Sequence, residues 1–203
     1  MIKRFLLWVT LVVAAAYVVY GVQSLIIQRE LAQKTLRLHV IAHSDDAEDQ
    51  RQKLLVRDAV LEKAEALTAS CADVEQAAAC LESSLSLLQS EAERVLLAEG
   101  SAYEVVVTLE ERSFDTRYYD SFTLPAGNYP ALCVSIGAAQ GRNWWCVVFP
   151  SLCTAATSEE FEQAVQTGGY SAGEQELVQR GEEEYILRFK TLEWIRKLSD
   201  LFS

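Results

Sequence analysis

Apolar residues fill positions 5–22 almost without a break, interrupted only by Thr10 and Gly21. A helix lying on a soluble core carries an apolar stripe, whereas this run is apolar on every side. Its length is close to the roughly 20 residues that a helix needs to cross hydrocarbon. Lys3 and Arg4 precede it and no basic residue follows until Arg29. That asymmetry places the N-terminus in the cytoplasm and the rest of the chain outside. Ala14-Ala15-Ala16 has the small-residue character of a cleavage site, but Tyr17-Val18-Val19-Tyr20 continues the apolar run past it. Residues 1–27 therefore read as a signal anchor or a signal peptide, with the anchor favoured.

After this segment the periodicity changes. Residues 35–42 (TLRLHVIA) alternate, with Leu36, Leu38 and Val40 on one side, and predict a strand. Asp45 followed by Glu48 resembles a capping box opening a helix. That helix places Gln52, Leu55, Val56, Ala59, Val60, Ala64 and Leu67 on one face. A second helix is predicted over 73–99, stopped by Gly100. Strands are predicted at 103–111, 118–124, 129–136 and 143–149, the last two flanking the turn 137–141. Residues 154–184 are rich in Ser, Gln, Gly and Glu and read as a flexible, partly helical connector. Residues 185–202 predict an amphipathic helix with a locally basic polar side. It would either pack on the domain or dock to a membrane or a partner.

The expected class is α+β. An N-terminal transmembrane or signal helix leads into one extracytoplasmic domain (28–153) with two helices and a mainly antiparallel sheet. The connector (154–184) and the C-terminal helix (185–203) follow.

Charge narrows the partners. With 29 acidic and 18 basic residues the formal net charge is -11. Such a surface repels a phosphate backbone, so nucleic acid is not an expected partner. Neither a phosphate-binding Gly-rich loop nor a Gly-x-Ser-x-Gly elbow is present, and no small-molecule substrate or cofactor is expected. His39 and His43 stand four apart along a strand and its exit. About 13 Å of strand separates them, too far to share a metal ion. His39 is expected to be a structural, hydrogen-bonded residue.

Five cysteines leave at least one thiol unpaired within the chain. Cys71 and Cys80 fall near the junction of the two helices, and Cys133 lies within a strand. If Phe149-Pro150 forms a hairpin tip, Cys146 faces Cys153 across an antiparallel pair. Directly opposed Cβ atoms lie about 4.5–5.5 Å apart, close to disulfide geometry. Outside the membrane such a bond persists. The Cys146–Cys153 disulfide is therefore favoured over two free thiols.

Three stretches, 36–62 (LRLHVIAHSDDAEDQRQKLLVRDAVLE), 129–137 (YPALCVSIG) and 143–153 (NWWCVVFPSLC), together closely resemble stage II sporulation protein R of endospore-forming bacteria. His43 and Cys133 depart from that family's pattern, where Asn and a basic or polar residue are expected. The resemblance implies a forespore protein exported into the space between the two sporangial membranes. It further implies that the protein triggers a membrane-bound aspartic protease of the mother cell, which trims the precursor of the sigma factor sigma-E. It implies a signal and not an enzyme. Trp144 and Trp145 are the candidate partner contacts, one of them facing outward, because strand neighbours alternate faces. Asp45 and Asp46 could add charge complementarity. The rival reading is an extracytoplasmic cell-envelope hydrolase with Cys133 or Cys146 as nucleophile and His39 as base.

Overall fold

The computed structural model describes residues 2–119, 122–155 and 158–179. In chain order the elements are α1 (Ile2–Gln33), β1 (Leu36–Ile41), α2 (Ala47–Thr68), α3 (Val74–Glu82), α4 (Leu85–Ala98) and β2 (Val105–Phe114). They continue as β3 (Arg117–Tyr118), β4 (Thr123–Leu124), β5 (Gly127–Ile136), β6 (Asn143–Phe149), α5 (Ser158–Thr167) and α6 (Ala172–Gln179). The class is α+β, as expected. The helix expected at 185–203 lies outside the described residues.

The chain forms two compact units. The larger comprises residues 32–114 and 128–170. Its sheet has the order β2-β5-β1-β6. The expected succession of antiparallel strands needs one correction. β1 inserts between β5 and β6, parallel to the first and antiparallel to the second. The alternation in β1 is correct, since Leu36, Leu38 and Val40 are all fully buried. The intervening Arg37 and His39 are buried too, at 0% and 5% exposure. A strand in the middle of a sheet that is covered on both faces has no solvent side, so alternation alone does not reveal its place.

Helices α2, α3 and α4 bury their apolar sides on one face of this sheet. Val56, Val60, Ala64, Ala77, Leu81, Leu88, Ala92 and Leu96 share a core with Leu38, Val40, Leu132, Val134 and Val148. The single helix expected over 73–99 is divided at Ser83-Ser84. The Ser83 hydroxyl donates to the Cys80 carbonyl (2.9 Å) and the Ser84 N–H to Leu81 O (2.9 Å). Serine competes with helical bonding in this way, and the break lets both halves bury a face. Asp73 caps α3 by accepting from Gln76 N–H (2.8 Å). The capping box expected at Asp45 and Glu48 is absent. Asp46 is the N-cap of α2 and makes no side-chain cap bond.

The stretch expected as a flexible, partly helical connector carries α5 and α6. Phe161, Val165, Leu177 and Val178 are buried there. Short amphipathic turns in a polar composition lack a long periodic signal, which is why they read as a linker.

The smaller unit comes from the described parts of 1–31, 115–127 and 171–203. The single strand expected at 118–124 is two short ones, β3 and β4, paired antiparallel as Arg117↔Leu124 and Tyr118↔Thr123. In α1 the side chains of Phe5, Trp8, Leu11, Val12, Val18 and Val22 are all exposed. Side chains at 14, 17 and 20 are not described, and among the described residues no helix is long and apolar enough to cross a membrane.

Candidate interaction surface

β1 and β5 run parallel, so their C-terminal ends meet at one end of the sheet, where β6 begins. Two loops converge there. The Gly141 N–H donates to Ala42 O (3.0 Å) and the Gln140 N–H to His43 O (3.2 Å). His43 stacks on Tyr103, with ring centroids 4.1 Å apart, and its Nδ1 accepts from Ala138 N–H (3.0 Å). Asp45 accepts from the Arg142 N–H (2.7 Å) and pairs with its guanidinium (3.5 Å). Helix α2 closes the arrangement. The Lys53 ammonium donates to Arg142 O (3.0 Å) and Gln50 Oε1 (2.7 Å), and Gln50 Nε2 donates to Ser44 O (2.8 Å). Lys53 is only 4% exposed, and burial followed by the neighbouring Arg142 lowers its pKa.

Gly137 and Gly141 permit this approach. Gly137 has φ +55°, and a Cβ on it would lie 2.3 Å from His43 Nδ1. A Cβ on Gly141 would lie 2.1 Å from the Ser44 carbonyl oxygen. The sequence predicts 137–141 only as a turn between strands, and no local signal in it points to the distant residues 42–44 that it meets.

Of the four candidate contact residues, three lie toward this end and one turns away. Asp45 and Asp46 are exposed. Trp144 is 39% exposed, and the Arg57 guanidinium of α2 sits 4.4 Å from its ring centroid. Arg57 also pairs with Asp58 (2.6 Å). Trp145 belongs to the opposite face of the sheet, where it stacks on His39 at 5.8 Å. The two tryptophans alternate as expected, and the packing gives the outward position to Trp144.

That opposite face carries the residues of the rival Cys/His reading. His39 registers with Cys133 on one side and Trp145 on the other. Arg112 Nη1 lies 2.7 Å from His39 Nδ1. A guanidinium only donates, so Nδ1 accepts and the imidazole is neutral. Burial, then the charge of Arg112, lowers the His39 pKa to about 4, against an opposing contribution from the Asn143 side chain. Burial likewise pushes the Cys133 thiol up to about 11. A catalytic cysteine needs a depressed pKa and a base that accepts its proton. Both shifts here oppose that transfer. Among the described residues no group of three or more His, Cys, Asp or Glu side chains could hold a metal ion.

Cys146 and Cys153 form a disulfide with Cα atoms 6.0 Å apart. Cys146 is therefore not a free nucleophile. The hairpin expected around it is also corrected, because among the described residues no strand follows β6. Residues 152–154 form a turn instead, and Val147 N–H points at Cys153 Sγ (3.1 Å). Thr154 then donates to Glu65 of α2 (2.7 Å). Breaking this short loop by Cys146→Ser is expected to cost about 2.5 kcal/mol, read as a lower unfolding temperature beside the parent under oxidising conditions.

The β1–α2 segment, β5 and the β6–disulfide segment are the three stretches that carried the resemblance. A family model described as stage II sporulation protein R matches residues 32–159. The chain belongs to the stage II sporulation protein R family. A relative of that name from Bacillus subtilis (strain 168) is 29% identical over 187 residues, covering 84% of this chain and 82% of the relative. No solved structure matches the chain. The family match begins after the apolar run and ends within α5, so it contains both converging loops, Trp144 and the disulfide. Membership in the family makes this a sporulation protein.

Proposed function

We propose that this chain is a forespore signalling protein, membrane-anchored or secreted, that acts in the space between the forespore and mother-cell membranes. Its partner is a mother-cell membrane aspartic protease, whose activation leads to processing of the sigma-E precursor. The observation that carries this reading is the family match over 32–159. Three features support it. The described apolar side chains at the start of α1 are bare, and a bilayer is the surrounding that suits them. A disulfide closes the end of β6, a cross-link that lasts in oxidising surroundings. An exposed tryptophan, backed by an arginine, stands beside acidic residues at one end of the sheet.

A signal activates an enzyme only by binding its active state more tightly than its resting state. Trp144 is the anchor proposed for that differential binding. The test is export of this protein beside the protease and the sigma-factor precursor in a non-sporulating host, with precursor size as the readout. Shortening should require both proteins and the N-terminal segment. A precursor that stays full length beside folded, exported protein would overturn the reading. Within the same assay Trp144→Ala is expected to slow processing more than tenfold, a loss of at least about 1.4 kcal/mol of binding. Its unfolding midpoint should move little. Trp145→Ala, which removes a ring stacked on His39, should lower that midpoint instead.

A further inference from the structure

We infer that Cys71 and Cys80 close a second disulfide, pinning the short link between α2 and α3 to the body of α3. Their Sγ atoms lie 3.5 Å apart across a separation of nine residues. Cys71 sits in the connection after Thr68 and before Asp73, and Cys80 sits two residues before the end of α3. The local chain is already shaped for the bond. The Cys71 N–H donates to Thr68 O (2.9 Å), the Ala72 N–H to Gln76 Oε1 (3.1 Å), and Asp73 caps the helix. Bond formation requires the sulfurs to close from 3.5 Å to about 2.05 Å.

Position selects the pair. Five cysteines leave at least one unpaired within the chain. With Cys146–Cys153 formed, the remaining three are Cys71, Cys80 and Cys133. Cys133 is 2% exposed on the far face of the sheet, whereas Cys71 and Cys80 both border the helix-side core. Cys133 is therefore the thiol left over.

The chemistry is a dithiol–disulfide exchange with a small disulfide oxidant or an oxidised dithiol oxidoreductase. Cys80 is the more exposed of the two. Its thiolate attacks the oxidant, forming a mixed disulfide and releasing one thiol. Cys71 then loses its proton and displaces the second thiol as the protein S–S bond forms. Two S–H bonds are lost, one S–S bond is made, and the oxidant is reduced to two thiols. Burial, followed by the hydrogen bond to Cys80, raises the Cys71 pKa, which suits Cys80 as the first thiol to attack.

Formation inside the cell's envelope rests on the export reading, but the bond itself is tested without it. The folded full chain is incubated with excess oxidised glutathione, quenched with acid, denatured and alkylated. Cleavage before Asp73 separates Cys71 from Cys80, so a peptide pair joined through these two residues identifies the bond by mass. The expected result is that joined pair, with Cys133 alkylated. Either thiol of the pair found alkylated or capped by glutathione would overturn the inference, as would a bond from either one to Cys133. Repeating the map on protein recovered from outside an exporting host tests the export reading separately. There Cys146–Cys153 is the reference, and its absence counts against export and not against the pairing.

Discussion

Gly141→Ala is expected to lower the unfolding free energy by about 3 kcal/mol. The added methyl would stand 2.1 Å from the Ser44 carbonyl oxygen and 2.5 Å from its carbon. Both are backbone atoms, so no side-chain rotation relieves the overlap. The loop must lift, and the bonds from Gly141 N–H to Ala42 O and from Arg142 N–H to Asp45 are lost together. Gly100→Ala is the matched control. Gly100 has φ +76° with nothing within 4 Å of its virtual Cβ, so its replacement brings backbone strain alone. That strain is worth about 1 kcal/mol. Urea unfolding followed by tryptophan fluorescence measures both variants. If Gly141→Ala is no more costly than Gly100→Ala, the close docking of the two loops is wrong.

His39 is expected to make the fold acid-sensitive. Its folded pKa of about 4 lies below the ordinary value of 6.5. Between those values the unfolded chain binds a proton that the folded chain does not. Stability from the neutral, buried imidazole is therefore complete above pH 6.5 and is lost progressively as pH falls toward 4. The loss approaches on the order of 3 kcal/mol across that window, at 1.36 kcal/mol per unit. Carboxylates titrate in the same range, and Glu65, raised chiefly by burial, contributes with the opposite sign. The comparison with His39→Gln isolates the histidine. Glutamine keeps an acceptor for Arg112 and does not titrate. Its stability should fall less steeply from pH 6.5 to 4 by about that amount. Parallel pH profiles would show that His39 is not held neutral.

These expectations differ in how much of them the chain order announces. The strand at 35–42, the helix that follows Asp46, and the strand Asn143–Phe149 all carry complete local signals. Each has a hydrophobic period, a stop, and flanking polar residues. The Cys146–Cys153 pair was reachable from spacing, although the route through a hairpin was wrong. A turn alone brings the two Cα atoms to 6.0 Å. The division at Ser83-Ser84 was weaker. Serines are tolerated inside helices, and whether a pair of them breaks one depends on which faces need burial.

The site shows the same contrast. Trp144 and Trp145 had to face opposite ways, and strand geometry alone says so. Which one faces outward depends on α2, whose Arg57 meets Trp144, and on His39, which takes Trp145. The interval from Asp45 to Glu48 predicts a capping role for Asp45. Asp45 holds Arg142 instead, a partner 97 residues away that no local window contains.

Residue order by itself determined the apolar leading segment, the acidic balance, the alternation of β1 and the α+β class, because these depend on composition and on periods of a few residues. Only the tertiary structure decided that β1 lies between β5 and β6, that Gly137 and Gly141 sit against His43 and Ser44, and that His39 shares a buried face with Arg112 and Cys133. Pairing between distant strands is set by how the two faces of the whole sheet are covered, and burial then assigns each polar side chain its partner and its charge.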